Sequence, residues 1–143
     1  MTLYEYIINH SYPLLIDNND LSEIESQFNV KLSDSLREFF ITYNGTQIPV
    51  CIVEDDDSLE VSSFIPVKHG TLPVEKIMRW NYDDGIIPKG FIPFASDRGG
   101  NIYYCDTENN DCILFIDHEE IENPEIIGSS ISSFLQHLQI SNE

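Results

Sequence analysis

Apolar positions along the chain fall into short, separate patterns. Leu3, Tyr4, Ile7 and Ile8 stand at i, i+1, i+4 and i+5, which predicts a short N-terminal helix with all four on one face. Leu21, Ile24 and Phe28 repeat the helical spacing, and Asp20 with Glu23 three residues on reads as the N-cap and capping box that open a second helix. A third is predicted in "KLSDSLREFFITYNG": Ser33 caps it, Asp34 complements its N-terminal dipole, and Leu36, Phe39, Phe40 and Tyr43 form its stripe. Asn44-Gly45 ends it, since both residues tolerate the left-handed backbone common at a helix C-terminus.

The pattern changes at Thr46. "TQIPVCIV" and "LEVSSFIPV" are short and β-branched, and they read as two strands joined by the acidic loop Glu54-Asp55-Asp56-Asp57. Val74, Ile77 and Met78, extended by Trp80 or Tyr82, return to helical spacing, and that helix ends at Asp83-Asp84-Gly85. "GFIPFAS", "NIYYCDT" and "DCILFIDHE" predict three strands. Asp97-Arg98-Gly99-Gly100 and Glu108-Asn109-Asn110-Asp111 separate them with hairpin chemistry. A closing helix is predicted in "GSSISSFLQHLQI", capped by Ser129 or Ser130, with Ile131, Phe134, Leu135 and Leu138 at i, i+3, i+4 and i+7. The order of elements predicts an α+β fold: a mainly antiparallel, twisted sheet with N-terminal helices and a C-terminal helix packed against it. Neither a repeat nor a low-complexity linker divides the sequence, so one domain is expected over residues 1–143.

Charge changes this picture most. The 143 residues hold 7 Lys and Arg against 25 Asp and Glu, a formal net charge of −18. Such a field repels nucleic-acid phosphates and anionic lipid, and favours a basic partner; an acidic proteome is the plainer explanation of the same number. Disorder does not account for it, because eight Phe, seven Tyr and a 41% hydrophobic content supply a core. Cys51, Cys105 and Cys112 form no CxxC and are odd in number, which points to buried thiols in a reducing compartment. With no basic n-region or small-residue cleavage site at the start, and no apolar run of membrane-spanning length, the expected location is the cytoplasm.

Catalytic signatures are sparse. No GxSxG, HExxH, P-loop or GxGxxG is present, and "DDDSLE" lacks the glycine and the twelfth-position acid of a calcium loop. Asp117-His118-Glu119-Glu120 is the densest cluster; together with Asp97 it sketches a divalent-ion site, and a solvated strand end is the simpler reading. The expectation is a non-enzyme without cofactor or metal.

Four ordered segments between residues 21 and 139 resemble the SMI/KNR family of the SUKH superfamily. They are Leu32 to Gly45, Ile92 to Asn101, Ile113 to Glu119, and the terminal helix with Ser133-Phe134-Leu135-Gln136-His137-Leu138. Ser33 stands where the family usually has Pro, and Thr46 where it often has a second Gly. The resemblance implies an α+β fold with no catalytic apparatus. In bacteria it implies an immunity protein that binds and blocks a cognate toxin, frequently a nuclease; eukaryotic relatives imply a regulatory interaction module. It also marks Asn44, Gly45, Pro93, Asp97, Gly99, Gly100, Asn101 and Asp117 as motif positions with structural roles, Asp97 bonding its own loop while the glycines take positive φ. A cognate toxin, itself basic, is therefore the expected partner, with no nucleic acid and no membrane. Exposed acids beside aromatics are the expected contacts: Glu54, Asp55, Asp56 and Asp57, then Trp80, Tyr82, Asp83 and Asp84.

Overall fold

Local capping sets the three N-terminal helices. A computed structural model describes residues 1–141, with Asn142 and Glu143 outside the described residues. Helix α1 (Leu3–Asn9) is capped by the Thr2 hydroxyl, which accepts from the Glu5 amide at 3.2 Å. It buries Leu3 and Ile7 but leaves Tyr4 and Ile8 exposed, so its apolar face is narrower than the predicted four. Helix α2 (Asn18–Phe28) starts three residues earlier than the sequence suggests. Asp17 is its N-cap, and Asp20 is the reciprocal partner in the capping box, each side chain accepting from the other's amide at 2.9–3.0 Å. Asp20 therefore serves as the third residue of the box, and Glu23 has no part in it. Helix α3 (Asp34–Tyr43) is capped by Ser33 as expected and buries Leu36, Phe39 and Phe40.

The strands form two antiparallel sheets. In the first, β1 (Cys51–Val53) lies between β2 (Asp56–Val61) and β8 (Leu138–Ile140). The second has the order β3-β4-β5-β6-β7, formed by Ser63–Phe64, Phe91–Ser96, Ile102–Asp106, Cys112–Ile116 and Glu125–Gly128. Between them in sequence come helix α4 (Val74–Asp84), before β4, and helix α5 (Ile131–Gln136), between β7 and β8.

Several boundaries depart from the sequence reading. Only Glu54 and Asp55 turn between β1 and β2; Asp56 and Asp57 already belong to β2. "LEVSSFIPV" is divided between the two sheets at Ser62. Strand β7 occupies a stretch that carries no strand signal, because Pro124 and its acids read as loop. The terminal helix stops at Gln136, capped by Ser130, and Leu138 opens a strand instead of a last helical turn. That strand pairs Ile140 with Cys51 and Leu138 with Val53. Ile140 N–H also donates to Met1 O at 3.0 Å, and Gln139 bridges Thr2, so the two ends of the described chain meet at this sheet.

Pro93 sits in an inner strand without cost to the ladder. Strand β3 pairs only with Ala95 and Ser96, so no neighbour on that side needs an N–H from Pro93, and an irregularity between Pro93 and Ala95 shifts the register on the β5 side. A chain of edge-to-face and tilted rings, Phe64, Phe39, Phe94, Phe134 and Tyr103, joins the five-stranded sheet to α3 and α5, with centroids 5.1–6.0 Å apart. Each such pair adds about 1 kcal/mol beyond its buried area. A smaller cluster of Tyr104, Leu114 and Ile116 is covered by Ile87, Phe91 and Ile121, so β5 and β6 are apolar on both faces and read as continuous apolar runs.

Candidate interaction site

Asn44 and Gly45 do more than end α3. Asn44 is buried and clamps two distant segments: its Nδ2 donates to Leu14 O at 3.0 Å and Val67 O at 3.1 Å, while its Oδ1 accepts from Val67 N at 2.7 Å. Gly45 has φ +65°, and a Cβ there would lie 2.7 Å from Leu14 Cδ1.

The Asp97-Arg98-Gly99-Gly100-Asn101 loop turns a corner. Asp97 Oδ1 accepts from the amides of Gly99 and Asn101, and its Oδ2 from Asn101 Nδ2, all at 2.9 Å; Gly100 takes φ +89°, whereas Gly99, expected to share it, does not take positive φ. Asn101 Oδ1 in turn accepts from the His118 amide at 3.0 Å and faces His118 Nδ1 at 2.6 Å, and Asp117 Oδ1 accepts from the Glu119 amide. Asp97, Asp117 and His118 thus hold two adjacent loops. Among the described residues no three His, Cys, Asp or Glu gather as metal ligands. Burial pushes the Cys51 thiol up to about 11 and raises Cys105 further, which keeps both protonated and poor as nucleophiles.

The acidic hairpin leads somewhere else. Asp55 adopts φ 73° in the turn, and the Glu54 amide donates to His137 O at 2.7 Å, pinning the turn against the end of α5. Between this hairpin, β7 and α5 lies a cleft of about 430 Å³. Its acidic walls are Glu54, Asp55, Asp56 and Glu125; Val53, Leu59 and Phe134 give it an apolar floor, and Ile126, 66% exposed, stands at its rim. Tyr103 reports the same convergence. Burial raises its phenol far above the ordinary value of 10.0, and the charges of Asp97, Glu60, Asp56 and Glu125 add to the shift, so these carboxylates from three segments face one hydroxyl. That hydroxyl donates to Glu60 O at 2.7 Å.

Basic groups are segregated from the cleft. No Lys or Arg stands between Arg37 and Lys68, and none follows Arg98. Arg37 pairs with Glu25, Lys68 with Asp20 at 3.4 Å, and Arg98 with Glu60 at 2.7 Å, where the guanidinium's hydrogen bonds hold the Glu60 carboxyl below its usual range. Asp57 is exposed beside the cleft but not in its lining.

The second predicted group lies on another element. Helix α4 buries Val74, Ile77 and Met78 against β4, which leaves Trp80 at 52% and Tyr82 at 58% exposed, beside Asp83 and Asp84. Lys76 lies 5.5 Å from the Trp80 ring centroid, and Arg79 lies 5.8 Å from that of Tyr82, so this surface carries both signs of charge. Sequence reasoning missed Glu125, Ile126 and His137, which join the acidic hairpin only through the fold. The absence of Lys and Arg from both contributing stretches was the available signal.

Fold and surface together define an α+β protein with an acidic, apolar-floored cleft. Residues 15–137 match the SMI1 / KNR4 family (SUKH-1), and the chain belongs to that family. A protein from Pseudomonas syringae pv. tomato, known from its crystal structure, superposes with a TM-score of 0.57 at 18% identity, over 86% of this chain and 87% of that one. At that identity the likeness speaks for the fold alone. No curated protein is similar enough to count as a relative.

Proposed function

We propose that this chain is an immunity protein: it binds a cognate basic toxin inside the producing cell and blocks it. Family membership supports a role in binding a partner protein. The observation that carries the toxin reading is the acidic cleft, whose walls bear no compensating Lys or Arg in a chain of net charge −18. A nuclease toxin presents a cationic groove for its substrate, and carboxylates enter such a groove as phosphates do. Long-range attraction also raises the association rate, which matters when free toxin harms the cell. The contact surface in this proposal is Glu54 to Asp57, with Trp80, Tyr82, Asp83 and Asp84 on α4 as a second patch carrying aromatic anchors.

Affinity capture from a lysate of the source organism, eluted with a salt step, tests it. A basic, salt-eluted partner that kills cells when expressed alone and is tolerated beside this protein supports immunity. Recovery of only non-toxic host proteins overturns it in favour of a regulatory interaction module.

A further inference from the structure

Strand β7 is an edge strand that the fold leaves open. Its only strand partner among the described residues is β6, and all four of its residues line the cleft. The other edges are less available. Strand β3 has two residues, and β8 is bridged at Gln139 by Thr2 and bonded at Ile140 by Met1. Strand β2, the edge opposite β8, has its Glu60 carbonyl taken by the Tyr103 hydroxyl and its Ser58 amide by Asp56 Oδ1. In β7 the register shifts opposite Ile113 and Leu114, leaving Ile127 as the extra residue, and Ile126 projects into solvent. An edge strand with an exposed Ile beside an apolar floor is a template for an added strand.

We infer that the groove between the β1–β2 hairpin and β7 receives an extended basic segment of the partner protein, laid along the edge of β7. This deepens the immunity reading by naming the docking element and the occupant's chemistry. Backbone groups of the incoming strand pair with the β7 edge. Side chains on one face of that strand point inward at every second residue. An apolar one rests on Val53, Leu59 and Phe134, and a flanking Arg or Lys lies between Asp56 and Glu125. Charge selects this occupant: the cleft is lined by acids from two segments with no Lys or Arg among the described lining residues, so an acidic or neutral strand leaves their repulsion in place and a basic one relieves it. A cleft of about 430 Å³ accommodates a few side chains rather than a folded domain.

The probe is a terminally blocked, fluorescently labelled heptapeptide alternating arginine and valine, followed by anisotropy at physiological salt. An arginine–serine peptide of equal charge tests the apolar floor. Asp56→Asn with Glu125→Gln neutralises the cleft; Glu23→Gln with Glu38→Gln removes the same charge from exposed positions on α2 and α3. The expected result is at least tenfold weaker binding for the cleft variant, less than threefold for the helix variant, and at least fivefold weaker binding of the serine peptide. The cleft variant should unfold no earlier than the parent, because its lost charges repel one another. Equal weakening by both variants, or equal binding of both peptides, overturns the groove and leaves only a general field effect. The captured toxin separates this inference from the immunity reading. A toxin neutralised equally well by the cleft variant sinks the groove alone, whereas groove binding of the peptide with no toxic partner sinks immunity alone.

Discussion

Replacing Asn44 tests how the N-terminal strap is held on. The side chain makes three hydrogen bonds, two to Val67 and one to Leu14 O, in a site where Val67 is fully buried. In Asn44→Ala the Val67 N–H is left without its acceptor away from solvent, whereas Val67 O keeps the His69 amide at 2.8 Å and Leu14 lies nearer the surface. An unsatisfied buried donor costs roughly 1–3 kcal/mol and each of the two other lost bonds about 1 kcal/mol, so the total is about 3–4 kcal/mol, a large part of the ~5–15 kcal/mol of a typical domain. Asn44→Asp is nearly isosteric yet is expected to be at least as harmful at pH 7. It keeps the acceptor for Val67 N but turns a carboxylate oxygen toward two carbonyls. Urea denaturation measures both. With a slope of about 2 kcal/mol per molar, the alanine variant's midpoint falls by roughly 1.5 M at unchanged slope. A loss under about 1 kcal/mol for alanine, or a milder effect for aspartate at neutral pH, would refute the clamp.

Three further outcomes concern the loop, the buried titratable groups and the thiols. Asp97→Ala removes three hydrogen bonds from a partly exposed hairpin and should cost about 2–3 kcal/mol, with Asp97→Asn milder at about 1–2 because Oδ1 survives while the new amide faces Asn101 Nδ2; equal and negligible losses in denaturation would show that the glycines alone shape the turn. Cys51, Cys105, Tyr103 and Tyr104 all hold their protons more tightly when folded, chiefly through burial. Their contribution to stability is therefore complete below the ordinary values of 9.0 and 10.0 and is lost as pH rises through them toward the folded values. The urea midpoint should decline from about pH 9 upward, and a flat profile to pH 11 contradicts the burial of these groups. In the native state Ellman's reagent should find Cys112 alone at a measurable rate, with all three thiols reacting in denaturant.

Elements set by local chemistry were legible in the sequence. Ser33 and the stripe through Leu36, Phe39 and Phe40 define α3 without reference to the rest of the chain, and the Asp97 turn carries its own hydrogen-bond acceptor. Long-range pairing was not legible. Leu138 falls on the helical repeat of Ile131, yet it becomes a strand because β1 offers an open edge there. Strand β7 exists through its pairing with β6, against the local signal of Pro124. The capping box was misplaced by three residues because Asp17 and Asp20 are both competent caps and both take part. The acidic hairpin was evident from composition, but its facing wall, Glu125, comes from a remote stretch that only the fold brings near.

The pairing of β1 with β8 sets an order of events during synthesis. Strand β1 is the middle strand of its sheet, yet one of its neighbours consists of residues 138–140. A nascent chain released as far as β6 has its hairpin acids but neither wall opposite them, and Glu54 lacks the His137 carbonyl that pins its turn. Such distant pairings close slowly and late. The groove thus closes only once β7, α5 and β8 have joined the hairpin, and a molecule clipped before β7 carries nearly all of the acidity with none of the facing wall.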